Sequence, residues 1–179
     1  MTALPVVRPA PLKPSRALAT ALVALTATGG CLARLEPSVL GVLQSAVAGL
    51  LVWLAAIDLE FHLLPDRLML PATATVLAVL VIVDPHLAAP HALVAVGTAI
   101  LLLVAALARA GDLGMGDVKL GLLLGATLGA SVLTALAIGF AVAALAGVGL
   151  VARDGRSALR RQLPLGPYLA LGALIVLVL

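Results

Sequence analysis

Asp58 closes the apolar run from Val39 to Ile57, and Asp117 opens the apolar run that begins at Val118. The chain is 63% hydrophobic and only 11% charged, so a carboxylate at the end of such a run calls for a reason. Ionisable groups near lipid are costly, and they tend to face the protein interior and to serve a function. If apolar helices alternate direction, the end of one and the start of another lie on the same membrane face. Two carboxylates brought together there could share a proton and activate water.

Each aspartate sits in a polar motif. The first runs Ile57-Asp58-Leu59-Glu60-Phe61-His62-Leu63-Leu64-Pro65-Asp66. Pro65 stops helical continuation and biases Leu64 toward extended backbone, which predicts a loop from Glu60 to Arg67. In that loop Glu60 and His62 read as solvated side chains, and Asp66 as the cap of the next helix. The second motif is Gly111-Asp112-Leu113-Gly114-Met115-Gly116-Asp117-Val118-Lys119. Gly114 and Gly116 permit tight turns and close backbone approach. Asp117 alone would read as a helix cap; its conjunction with Asp58 on one face gives it a chemical role. A helix start favours a carboxylate and a helix end does not, which makes Asp117 the expected base and Asp58 the expected acid. Lys119 reads as an anchor at the membrane boundary, with a second option of tuning the field near Asp117. Gly121, Gly125 and Gly129 form a small-residue ridge that lets another helix come close.

These motifs need elements that hold them. Mean hydropathy of +1.25, with apolar stretches joined by short polar loops and no strand alternation, defines an all-α polytopic membrane bundle. Segments are expected near 17–34, 39–57, 68–83, 91–109, 117–130, 131–151 and 164–179, seven in all: a six-helix core over about 39–179 and one helix before it. Residues 1–16 are expected to be a disordered cytoplasmic tail, and 17–179 one membrane domain. The stretch from Asp117 to Val151 exceeds the roughly 20 residues of one crossing, and Gly129-Ala130-Ser131 is the expected break of a hairpin. Arg16, the following apolar run and Cys31 also resemble a signal sequence, but the run continues to Leu35 without a clean cleavage site, so a retained helix is expected.

Charge placement agrees with this count. A cytoplasmic amino terminus and seven crossings put Arg8, Lys13, Arg16, Arg67, Arg109, Lys119, Arg153, Arg156, Arg160 and Arg161 inside, leaving Arg34 outside, so ten of the 11 basic residues share one side. The loops at 58–67, 109–117 and 152–163 are then cytoplasmic, with both aspartates at that surface, and position 88 falls in an exterior loop. A lone cysteine and the scattered His62, His86 and His91 predict no metal site and no cofactor. Aromatic content of 2% argues against nucleic acid as a partner.

The Asp58 segment with Leu64-Pro65-Asp66, the GMGDVK run at 114–119 and the late Pro164-Leu165-Gly166-Pro167-Tyr168 stretch together resemble the prepilin peptidases, the GxGD-type aspartic proteases of the bacterial inner membrane. Three motifs in matching order extend the resemblance from about residue 39 to the end. It implies that Asp58 and Asp117 are the catalytic pair, with Gly114, Gly116, Lys119, Pro65 and Asp66 as supporting motif residues. It also implies a type IV prepilin or pseudopilin precursor as substrate, its short basic leader cut after glycine at the cytoplasmic edge of the membrane. Longer members carry an extra amino-terminal region, often with paired Cys-x-x-Cys, associated with methylating the new amino terminus. The present sequence is similar to the compact, peptidase-only form, such as those serving tight-adherence or competence-type pili. Two other classes compete with an enzyme: a noncatalytic assembly subunit in which both aspartates only cap helices, and a small proton- or cation-coupled transporter. Transport predicts carboxylates near mid-bilayer and a repeat between halves, and neither is evident in the sequence.

Overall fold

The computed structural model describes residues 38–61, 64–108, 114–155 and 164–179, preceded by helical residues 20, 24–26, 28 and 29. The expected tail at 1–16 and most of the expected first helix lie outside the described residues, as do His62, the 109–113 segment and most of the 152–163 loop. Among the described residues the helices that follow are α1 (Val39–Phe61), α2 (Asp66–Val83), α3 (Pro85–Ala108), α4 (Met115–Leu128), α5 (Val132–Asp154) and α6 (Gly166–Val178), with a 3-10 turn at Gly129–Ser131. Among the described residues there is no strand. The helices α1, α2 and α3 and the stretch Met115–Asp154 are each long and apolar enough to cross a membrane, and α6 is a shorter apolar helix. The chain is an all-α polytopic membrane bundle. Large apolar side chains such as Ile82, Leu93, Leu107 and Leu145 point outward, as lipid in place of water allows. Buried hydroxyls of Ser45, Thr73 and Thr127 donate to the carbonyl four residues earlier, so they cost no unmet hydrogen bond in the apolar core.

Three boundaries depart from the sequence expectation for local reasons. Helix α1 runs on to Phe61, which places Asp58 inside its last turn. Helix α2 begins at Asp66, one residue after Pro65, so the expected loop from Glu60 to Arg67 is shorter at both ends. Helix α3 begins at Pro85 instead of near 91, because Asp84 organises the reversal: its N–H donates to Leu80 O at 2.9 Å, and its Oδ1 accepts from His86 N at 3.2 Å. Proline directly after such a cap is favourable, since its missing N–H has no helical partner to lose. Position 88 therefore lies within α3, where Ala88 is buried, and not in a loop. The expected break at Gly129 is present, with φ of 54° at that residue, a conformation that favours glycine.

Packing divides the bundle into two groups of three helices. Helix α4 packs along α3 and against α2, and α2 also meets α3; helix α6 packs between α1 and α5. Between the groups the contacts are α1 with α2, α4 with α6 and, beside the Gly129 turn, α4 with α5, while α1 and α4 have no extended interface of their own. The glycine ridge of α4 explains the first group. Gly121 lies against Leu102 and Thr98, Gly125 against the backbone of Ala95, and Gly129 against the ring of His91. His91 Nδ1 also donates to Ala126 O at 2.8 Å, meeting a carbonyl near the end of α4. In the second group Gly139 and Gly172 face each other's helices at backbone distance. These pairings run α3 against α4, and α5 against α6, in opposite directions.

A side chain at Gly125 has nowhere to go, since a Cβ there would lie 2.5 Å from Ala95 Cα and 2.9 Å from Ala95 N. Overpacking against backbone costs about 1–3 kcal/mol. Gly125→Ala is expected to lower the thermal midpoint in detergent, whereas Gly97→Ala, which meets nothing within 4 Å, should hold or raise it by removing glycine's entropy from a helix. Equal midpoints for the two variants would contradict the glycine-mediated contact.

Candidate active site

The ends of α1 and the starts of α2, α4 and α6 meet at one end of the bundle. Asp58, in the last turn of α1, is 6% exposed, and Asp117, in the first turn of α4, is 7% exposed. Their charges are close enough to interact. Asp117 is held by its own helix start: its N–H donates to Gly114 O at 3.0 Å, and its Oδ2 accepts from Gly114 N at 3.3 Å. Gly114 is extended there, with φ −77° and ψ 149°, so the chain enters α4 by a turn that folds the carboxylate back over the helix end. The first-turn position required of an aspartate at a helix start is met.

Asp58 is positioned from another element. Gly166 opens α6, and a Cβ on it would stand 2.6 Å from Asp58 Oδ2 and 3.1 Å from Asp58 Cγ. The carboxyl thus lies directly on the glycine backbone. Gly116 is likewise covered, by Leu64: a Cβ at Gly116 would be 2.9 Å from Leu64 Cβ and 3.1 Å from its Cδ1. Pro65 is extended, with φ −74° and ψ 115°, and stands as the residue before α2.

The reading of Asp66 as a cap is corrected by the structure. Asp66 does not cap α2; Pro65 occupies the cap position without a side-chain bond, and the Asp66 carboxylate instead accepts from Lys119 Nζ. Lys119 is accordingly engaged with α2. The side chains are 28% and 55% exposed for Lys119 and Asp66, so the ion pair contributes about 0.2–1 kcal/mol. Asp66→Asn is therefore expected to keep measurable activity and to shift the thermal midpoint by no more than a few degrees; abolished turnover in this variant would move Asp66 into the reacting set.

All seven site residues named from sequence, Asp58, Pro65, Asp66, Gly114, Gly116, Asp117 and Lys119, are gathered at this end. Sequence reading gave no positional role to Gly166 or Leu64. The signal for Gly166 was the Gly-Pro step that starts α6, but its contact with Asp58 is made across more than 100 residues and has no local trace.

A membrane bundle with two buried carboxylates at adjoining helix ends is the class of protein that fold and site define. The model of the type IV leader peptidase family matches residues 45–152, which include both aspartates and the Leu64–Asp66 and Gly114–Lys119 segments. The chain belongs to that family and is a leader-peptidase-like protease of the membrane. No curated protein and no solved structure matches it.

Proposed function

We propose that the chain is an aspartic endopeptidase that removes the short basic leader from type IV prepilin-like or pseudopilin precursors at the cytoplasmic face of the inner membrane. The observation that carries this reading is the meeting of Asp58 and Asp117, buried, at the ends of helices that share no extended interface. Two carboxylates so placed act as one titrating pair. The ionised member takes a proton from water, and the protonated member donates a hydrogen bond to the scissile carbonyl. The attacking water forms the new C–O bond of a tetrahedral intermediate. Its collapse breaks the C–N bond as the leaving amine takes a proton, and no covalent enzyme intermediate arises. The family supports prepilin-like substrates, and the apolar exterior supports approach of the precursor's helix by diffusion within the bilayer. The reading includes no cofactor and no metal.

Incubating the purified protein, in detergent or lipid, with a panel of prepilin-like peptides should yield two products whose masses locate one cut after glycine. Folded protein that cuts none of them would favour a noncatalytic assembly subunit.

The cytoplasmic placement has its own test, with Cys31 first replaced by serine. Cysteines at Met115 and Arg153 are expected to label only from the cytoplasmic side, and a cysteine at His86 only from the other, in line with the arginine distribution. His86 is exposed at the start of α3 and replaces buried position 88 as the exterior probe. Labelling of Arg153 and His86 from the same side would overturn the crossing pattern.

A further inference from the structure

We propose that Leu64 is a positioning residue whose side chain spaces the two aspartates across the seam between the helix groups. The inference rests on the reading of Asp58 and Asp117 as the reacting pair. Asp58 belongs to the α1, α5 and α6 group, and Asp117 to the α2, α3 and α4 group. Since α1 and α4 have no extended interface, their own packing does not fix the separation of the carboxylates.

Leu64 fills that gap. Its Cδ1 lies 3.1 Å from the Cβ position of Gly116, the residue before Asp117, and 3.5 Å from that of Gly166, the residue on which the Asp58 carboxyl rests. One methyl group therefore stands between the start of α4 and the start of α6. The chain of contacts runs from Asp117 through Gly116, Leu64 and Gly166 to Asp58 Oδ2. Both flanking residues lack a Cβ, so the leucine reaches backbone on each side, and backbone yields less than a side chain would. One end of the segment is held as well: Asp66 is paired with Lys119, two residues beyond Asp117. Pro65 between them has a fixed φ, which limits how far Leu64 can withdraw.

The consequence concerns geometry more than affinity. Shortening Leu64 lets the two helix starts approach or slide, and a misplacement of about 1 Å costs about 100-fold in a positioned reaction. Leu64→Ala is expected to lower kcat at least about tenfold on that basis, with KM within about twofold of the parent and the apparent pKa values of the pH–rate profile moved. Leu64→Met, of similar volume, should recover most of the parent kcat. Leu64→Val gives an intermediate deletion if the alanine variant does not fold.

A second measurement needs no activity. With Cys31 replaced, spin labels at Leu59 and Met115, which are 60% and 58% exposed, report the distance between the Asp58 and Asp117 helix ends. Leu64→Ala should shift or broaden that distance distribution, and Leu64→Met should leave it in place. Parent-like distances in the alanine variant would overturn the proposal, whatever its turnover; so would a lowered kcat that Leu64→Met fails to recover. A protein that cuts no peptide but shows the distance change would retain the spacing role and lose the proposed reaction.

Discussion

Asp58→Asn and Asp117→Asn are each expected to abolish cleavage while the protein still inserts and folds. An amide neither takes a proton from water nor holds one to share, and a pair fails when either member cannot titrate. Loss of general acid–base assistance alone is about 10²–10⁴-fold, and in the proposed mechanism the pair supplies both the acid and the base. Folding should survive, because Asn keeps the shape of Asp and removes a charge from a site that is less than a tenth exposed for both residues. The measurement is turnover of a prepilin-like peptide, read beside the thermal midpoint. Asp112→Asn and Glu60→Gln, like Asp66→Asn, should retain measurable activity. Substantial turnover by either dyad variant would remove the assignment, and loss confined to Asp112→Asn would move the base to that residue.

Gly166→Ala is the second large expected effect. The added methyl would stand 2.6 Å from Asp58 Oδ2, closer than carbon and oxygen can remain, so the carboxyl must turn away from Asp117 or α6 must retreat. Displacement of this size costs about 100-fold in kcat, with a smaller change in stability because glycine to alanine favours a helix. Gly149→Ala, on the outer helix and with nothing within 4 Å of its new methyl, is the matching control and should retain parent turnover. Parent kcat in Gly166→Ala would mean that Asp58 does not depend on the backbone behind it.

The sequence made the shared face legible because two signals reported it independently. The apolar runs set where the chain crosses, and the arginines set which ends lie together. Asp58 and Asp117 stood out since each broke an apolar run at such an end. The ridge of Gly121, Gly125 and Gly129 was legible as a contact surface, but its partner was not; spacing along one helix carries no name for the helix opposite, which is α3. Asp66 was misread because an aspartate after Pro and before an apolar run has the local chemistry of a cap, whereas its actual partner, Lys119, is 53 residues away. The start of α3 was missed because two prolines read as a loop, when Asp84 and Pro85 together make a competent helix start. Leu64 and Gly166 stood inside motif segments, but nothing local gave either of them a contact. Their proposed roles come from which backbone they touch, and only the packing of the four helix ends supplies it.

Helices α4 and α6 have 14 and 13 residues, a rise of about 20 Å each, against about 30 Å of hydrocarbon in an ordinary bilayer. Both begin at the carboxylates. Helix α5, by contrast, faces Leu169 through Gly139 and then continues to Asp154, about 20 Å farther. The end of α5 thus stands as an overhang beyond the level at which α4 and α6 begin. Two short helices beside one long one give the bundle a stepped end, low at the carboxylates and high at Asp154.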